Sequence, residues 1–307
     1  MLSRRAFVAG CAAWGVVYPA EARAADGALG HLDHSSWVVS DGAAGIAAFR
    51  KLGFTLTPKP KVQVGGALST FALFPDFTYL EIVETHLAED RRFLASGANP
   101  EESGGLVESC SATATALARR GVHMSVGNGA GFCFDAFPSD DGLLGNVFVY
   151  AHPKASATKR SRSKSAQYRH HVNGALGLRE SWIAVPDLER AVVRFVSAGF
   201  PVIHRSIAVE PLRARGTVLA WGSHRIVLLQ ATGPVGPLGG PVASLGAHPV
   251  GVRLAADMTA ARRAIEPLAS DWGDALLVGP ENGKGAWLAF GPENSWTGET
   301  HSATSES

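Results

Sequence analysis

The stretch LDHSSWVVSD, residues 32–41, predicts a buried strand that leads directly into a helix. An apolar run follows His34, and Asp41 is a residue type that caps helix N-termini through its side-chain oxygen. The helix is expected over residues 42–52 and ends before Gly53, because glycine readily adopts the backbone conformation that follows a helix. The stretch therefore predicts one strand and one helix that belong to a single βα unit.

A second apolar strand, Tyr79–Glu84, carries a carboxylate between two aliphatic residues, Glu81 between Leu80 and Ile82. In a β-α-β-β-β unit the first and last strands can lie side by side. His34 and Glu81 would then converge, and an imidazole with a carboxylate suits a divalent metal ion. The sequence therefore predicts His34 and Glu81 as metal ligands.

The opening pattern recurs later in the chain. Glu180 precedes Asp187 by seven residues, as His34 precedes Asp41 by seven, and the helix that follows is expected to end at Gly199. Four such units, repeated at similar length, predict a duplicated βαβββ module. The expected fold is α+β, with curved mixed sheets that enclose a cleft. The predicted organisation is a signal peptide (1–24), modules one and two (25–153), a basic serine-rich linker (154–174), modules three and four (175–292) and a disordered tail (293–307).

This order of elements, with Asp-His opening the first strand and Tyr-Leu-Glu in the last, resembles the vicinal oxygen chelate superfamily of glyoxalases, bleomycin resistance proteins and extradiol dioxygenases. Within it, the chain is most similar to glyoxalase-like domains of unassigned activity. The resemblance implies a divalent metal that binds a small oxygenated substrate in a lyase, isomerase or dioxygenase. The position equivalent to a fourth ligand falls near Val227, which cannot coordinate. This departure favours the alternative, a metal-free protein that binds or sequesters a small molecule.

Other side chains complete the predicted site. If units one and three pair, Glu180 is a third ligand or a general base, although a salt bridge to Arg179 would also explain it. His170 and His171 adjoin an Asn-Gly turn and are expected at the mouth of the cleft. A histidine in an apolar strand can instead be a hydrogen-bonded core residue. The predicted substrate-binding residues are His170, His171, Trp37 and His224.

The amino terminus, SRRAFV at residues 3–8, matches a twin-arginine export signal. A short apolar segment and a small-residue cleavage pattern follow, so the mature chain is expected to begin near Ala25 in the periplasm. In that oxidising compartment Cys110 and Cys133 could form a disulfide, and two buried thiols are the alternative.

Length, composition and net charge limit the classes of function that are expected for this chain. With 307 residues, of which 46% are hydrophobic and 18% charged, the chain can bury a large core. A net charge of +1 supplies no field that would draw nucleic acid. No apolar run reaches the roughly 20 residues that span a bilayer, so a soluble protein is expected. The expected partner is a small-molecule substrate. Members of the superfamily often pair modules between two subunits, so the resemblance also implies a homodimer.

Overall fold

The computed structural model describes residues 29–62, 66–87, 90–97, 99–129, 132–136, 143–151 and 165–298. The predicted signal peptide, residues 152–164 and residues 299–307 of the predicted tail lie outside this part of the chain. No helix within it is long and apolar enough to cross a membrane.

The first half of the described chain forms one mixed sheet of eight strands in the order β2-β3-β4-β1-β5-β8-β7-β6. Strand β1 lies between β4, which runs parallel to it, and β5, which runs antiparallel. The predicted contact between the first and last strands of module one is therefore present. The strands are β1 His31–Val39, β2 Lys61–Val62, β3 Leu68–Leu73, β4 Tyr79–Glu84, β5 Pro100–Leu106, β6 Ser125–Gly129, β7 Phe132–Ala136 and β8 Val147–Ala151.

The second half repeats this arrangement in the order β10-β11-β12-β9-β13-β16-β15-β14. Strand β9 again lies between a parallel neighbour, β12, and an antiparallel one, β13. The predicted α+β fold of repeated βαβββ modules in curled mixed sheets is confirmed. The strands are β9 Ala175–Ala184, β10 Val202–Val209, β11 Ala214–Trp221, β12 His224–Ala231, β13 His248–Ala256, β14 Ser270–Trp272, β15 Ala275–Val278 and β16 Trp287–Gly291.

The helices form where local signals predict them. Asp41 accepts a hydrogen bond from the backbone N–H of Ala44 at 3.0 Å and so caps the first helix, and Asp187 caps its counterpart in module three. Gly53 and Gly199, which follow these helices, have φ of +80° and +106°. The helices are α1 Gly42–Lys51, α2 Arg91–Ser96, α3 Cys110–Ala118, α4 Leu188–Ala198, α5 Gly239–Leu245 and α6 Met258–Ile265.

The two sheets contact each other through their helix-bearing faces. One buried apolar cluster contains side chains of both sheets and of the helices, among them Trp37 of β1 and Ile183 of β9. At the contact, the hydroxyl groups of Ser103 and Ser181 are 2.7 Å apart. The opposite face of each sheet, which we call its inner face, therefore points away from the other sheet. This packing creates two separate inner faces, one in each half of the chain.

Candidate active site

The first inner face holds His34 because of a β-bulge in strand β1. Leu32 pairs with Gly105 and His34 with Gly104, so Asp33 is an extra residue on the β1 side of the ladder. A bulge interrupts strict alternation. It explains how Asp33 and His34, although adjacent in sequence, both contact side chains of the same cluster.

Asp33 connects two groups within this cluster. Its Oδ2 is 2.9 Å from Nδ1 of His34, and it also accepts a hydrogen bond from the hydroxyl of Tyr150. Burial, followed by the negative charge of Asp33, holds the pKa of Tyr150 well above its ordinary range. Tyr150 therefore stays protonated and acts as a permanent donor to Asp33. If Asp33 is the acceptor in this contact, Nδ1 of His34 carries the hydrogen and Nε2 carries the lone pair.

Aromatic rings surround the imidazole of His34, which is only 2% exposed. The Tyr79 ring stacks on it with centroids 4.5 Å apart, and Phe148 and Tyr150 present their edges at 5.3 and 5.7 Å. The backbone of Gly104 also lies against the ring, and a Cβ atom there would be 2.7 Å from Nε2 of His34. The ring is thus held in one orientation by packing as well as by Asp33.

The lone pair of Nε2 has no hydrogen-bond partner in the described part of the chain. A buried polar atom without a partner costs roughly 1–3 kcal/mol. The unsatisfied nitrogen is therefore the strongest indication that this face has a chemical role.

Two carboxylates share the inner face with His34. Ser36, two residues beyond His34 on β1, pairs with Glu81 of β4 on one side and with Glu102 of β5 on the other. Both glutamates are buried. The sequence prediction that His34 and Glu81 share one face agrees with this register, and Glu102 joins them from the second module.

A divalent metal would need several of these groups to converge. His34 has one feature of a metal ligand, since metal-bound histidines usually donate their other N–H to a carboxylate. Within the described residues, however, no three His, Cys, Asp or Glu side chains are close enough together to hold a metal ion. In this structure His34 is therefore not joined by two further ligands from the described residues.

Glu180 does not join this site. It lies on the inner face of the second sheet, and its position as a third ligand required modules one and three to pair. Module one instead completes its sheet with module two, so His34 and Glu180 lie in different sheets. The carboxylate of Glu180 accepts hydrogen bonds from Nε1 of Trp182 at 2.7 Å and from the backbone N–H of Thr297 at 2.8 Å. These contacts, rather than a salt bridge to Arg179, explain its burial.

Two predicted substrate-binding residues lie in the protein core. Trp37 is fully buried on the helix-bearing face and packs edge-on against Phe49 of α1. His171 accepts a hydrogen bond from the backbone N–H of Thr55 at Nδ1 and donates from Nε2 to the carbonyl of Leu73. Burial lowers the pKa of His171 to about 4, so the ring is neutral. In this structure both side chains have structural contacts and neither lines the inner face.

The other two lie near the contact between the halves of the chain. His170 is exposed, and its backbone carbonyl accepts a hydrogen bond from the Thr55 hydroxyl at 2.6 Å. His224 stacks against His31 of the first sheet, with ring centroids 5.8 Å apart. Burial, with a smaller contribution from His31, lowers the pKa of His224 to about 3. The structure therefore does not bring either residue to the inner face that holds His34.

Sequence reasoning missed three members of the cluster. Asp33 was visible in the Asp-His pair, but a regular strand would have pointed it away from His34. Glu102 precedes the α3 cap Ser109 by seven residues, the spacing that singled out His34 and Glu180, and this spacing could have found it. Tyr150 carried no local signal beyond its place in an apolar strand.

Comparison with known proteins supports the fold alone. No protein-family model matches the sequence, and no curated relative does either. Among solved structures, the chain is similar to 2,2',3-trihydroxybiphenyl 1,2-dioxygenase from a dibenzofuran-degrading Sphingomonas wittichii, with a TM-score of 0.56 and 12% identity over 86% of this chain and 90% of that one. A variant of homoprotocatechuate 2,3-dioxygenase from B. fuscum gives a TM-score of 0.55 at 12% identity, over 94% of this chain and 77% of that one. A hypothetical protein from Staphylococcus aureus gives 0.56 at 9% identity, over 85% and 98%. The chain thus has the vicinal oxygen chelate fold, and identities this low carry no information about activity.

Proposed function

We propose that this chain is a small-molecule enzyme in which Nε2 of His34 accepts a proton from a carbon next to a carbonyl group of the substrate. The observation that carries the proposal is the unsatisfied Nε2 lone pair, held in place by Asp33 and the surrounding rings. Asp33 fixes the tautomer that leaves Nε2 basic, and its negative charge stabilises the imidazolium that forms.

The reaction class follows from this proton transfer. Removal of the proton leaves an enolate and a protonated His34. Return of the proton to the opposite face of the same carbon completes an epimerisation. Loss of a leaving group from the β-carbon completes an elimination instead, in which the enolate electron pair forms the new C=C bond and the leaving group departs with the electrons of the broken bond. The rings of Tyr79 and Phe148 against the imidazole make the surroundings of His34 apolar, which favours a small substrate with an apolar or aromatic part. Two of the similar structures are dioxygenases, which is a precedent for oxygenated substrates on this fold, by analogy only.

Deuterium exchange tests the proposal directly. Proton NMR in D2O would follow loss of the C–H signals of hydroxyacetone, dihydroxyacetone and pyruvate. The wild-type protein should accelerate exchange for at least one compound, and His34→Gln should reduce that rate by about 10²–10⁴-fold. Asp33→Asn should reduce it as well, whereas Ser36→Ala, on the same face, is the matched control.

A second test of the proposed base needs no substrate, so its result does not depend on which compounds are chosen. Nitrogen-15 NMR of the imidazole distinguishes the two neutral tautomers, and we expect hydrogen on Nδ1 of His34. A ring with its hydrogen on Nε2 would rule out the proposed base. If the wild-type protein binds one of these compounds without accelerating exchange, and His34→Gln binds it equally well, a binding or sequestering role on the same face becomes the better description.

A metal-dependent lyase, isomerase or dioxygenase is the second candidate. The contact between Asp33 and Nδ1 of His34 favours it, because metal-bound histidines usually have such a partner. Glu81 and Glu102 are the carboxylates that would have to join His34. Metal analysis of protein purified after native export decides the question. Stoichiometric Fe, Mn, Ni or Zn that is lost in His34→Gln would support this candidate, together with a lower melting temperature after chelation.

We also propose export through the twin-arginine pathway and assembly as a homodimer. The motif at residues 3–8 supports export, and so does the participation of Cys110 in a disulfide, since disulfides persist in oxidising compartments. Cell fractionation of wild type and an Arg4→Lys, Arg5→Lys double variant tests the first proposal. Analytical ultracentrifugation tests the second, for which the superfamily resemblance is the support.

A further inference from the structure

The inner face of the second sheet differs in chemistry from that of the first. Glu180 lies between two arginines on neighbouring strands, pairing with Arg225 of β12 and with Arg253 of β13. Trp182 and Trp272 meet edge to face on the same side, with centroids 5.6 Å apart. This face therefore combines guanidinium groups with large aromatic walls.

Residues Glu293–Gly298, which we call the strap, cover these groups. These residues belong to the polar segment 293–307 that the sequence predicts to be disordered. Nε of Arg253 donates to the carbonyl of Ser295 at 3.1 Å, and the same guanidinium donates to the Ser295 hydroxyl. Arg225 lies over the indole of Trp296, 3.8 Å from the ring centroid. Together with the Thr297–Glu180 hydrogen bond, these contacts occupy the polar groups on which a ligand would depend.

The strap presents oxygen atoms to one arginine and an aromatic ring to the other. An aromatic carboxylate offers the same two features, since a carboxylate matches a guanidinium and an aryl ring stacks on a cation. We infer that the second inner face is a binding site for a small aromatic carboxylate, and that the strap is its resident occupant. This site lies in the other half of the chain from His34, so the inference does not depend on the proposed function.

The contacts of the two arginines would allow a ligand to replace the strap. Asp274 lies 3.2 Å from Nη2 of Arg253 and is part of the site with or without the strap. Nε of Arg253 donates to the strap, so once the strap is displaced this N–H can donate to an oxygen atom of a ligand. Trp296 is only half-buried; beyond the contacts that a ligand would replace, the strap is held by the 3.4 Å ion pair of Glu293 with Arg179 and by packing of Gly298 next to Ile207.

Substitution of Trp296 in the full chain tests the inference with benzoate as the probe. Trp296→Ala removes the ring from Arg225 and should bind benzoate about tenfold more tightly than wild type does, the gain expected from one charge-assisted contact. Benzamide, which has the same ring without the charge, should not show this gain. Trp296→Phe is the matched control, because it keeps an aromatic ring over Arg225. Isothermal titration calorimetry supplies the affinities.

A natively folded Trp296→Ala protein that does not prefer benzoate to benzamide would overturn the inference. If that variant does not fold, amide hydrogen exchange of Thr297 in the wild-type chain decides instead. Displacement of the strap by benzoate should accelerate this exchange by about tenfold relative to benzamide, because the amide loses its contact with Glu180. Equal exchange rates in the two solutions would show that the strap is a fixed part of the fold.

Discussion

Gly104 and Gly105 are adjacent on β5 but face opposite sides of the first sheet, and this pair permits a direct test of the candidate site. A Cβ atom at Gly104 would lie 2.7 Å from both Nε2 of His34 and Cζ of Phe148. A Cβ atom at Gly105 would lie 2.9 Å from Cε2 of Trp221, at the contact between the sheets. Both distances are too short for carbon, so alanine at either position forces its neighbours to move.

We expect Gly104→Ala and Gly105→Ala to destabilise the protein by similar amounts, about 1–3 kcal/mol each, which is the usual cost of overpacking a core. For a chain of this size that cost lowers the melting temperature by roughly 2–5 °C, which calorimetry would measure. Only Gly104→Ala should displace the imidazole of His34, because the added methyl group would overlap that ring. The methyl group of Gly105→Ala would meet Trp221 instead.

The imidazole resonances of His34 distinguish the two variants. Gly104→Ala should shift them and abolish any deuterium exchange activity, whereas Gly105→Ala should leave both close to wild type. Unchanged His34 resonances in Gly104→Ala would refute the described packing of the ring. Equal shifts in the two variants would refute the assignment of the two glycines to opposite faces.

Three further outcomes follow from the structure. Tyr150→Phe removes the hydroxyl that donates to Asp33 and should cost about 1–3 kcal/mol, because a buried carboxylate loses a donor; urea denaturation measures it, and an unchanged midpoint would contradict the contact. His224 has a pKa of about 3 in the folded chain and near 6.5 when unfolded, so its contribution to stability is complete above pH 6.5 and is lost as the pH falls from there. His224 should account for a loss of about 2 kcal/mol between pH 8 and pH 5, so the loss should be smaller by that amount in His224→Gln; the loss of similar size due to His171 should remain. Cys110 is disulfide-bonded, and we expect its partner to be Cys133; Cys110→Ser should cost about 3 kcal/mol, and mass spectrometry of the unreduced protein should recover the linked peptides.

Local signals in the sequence were sufficient to predict the repeating module. Asp41 and Asp187 cap helices because their carboxylates reach the first free backbone N–H groups, and Gly53 and Gly199 follow them because glycine adopts a positive φ without strain. These interactions span only a few residues, so they depend little on the rest of the molecule. They determined the βαβββ units, and the units determined the fold class.

Residue spacing likewise placed His34 and Glu81 on neighbouring strands, because the first and last strands of one module are joined by a short chain. Their partners could not be predicted in the same way. Tyr150 is 117 positions from Asp33 in the sequence, and only the pairing of module one with module two brings them together. A register shift of one residue, at the bulge, then decides which side chains meet.

Glu180 shows the limit of the repeat most clearly. By spacing it is the counterpart of His34, yet it lies on a different face, where Trp182 and the strap satisfy its carboxylate. Spacing within a module is a local property and is repeated faithfully. The choice of which modules share a sheet depends on the free energy of many contacts distant in sequence, and that choice was made by the tertiary structure alone.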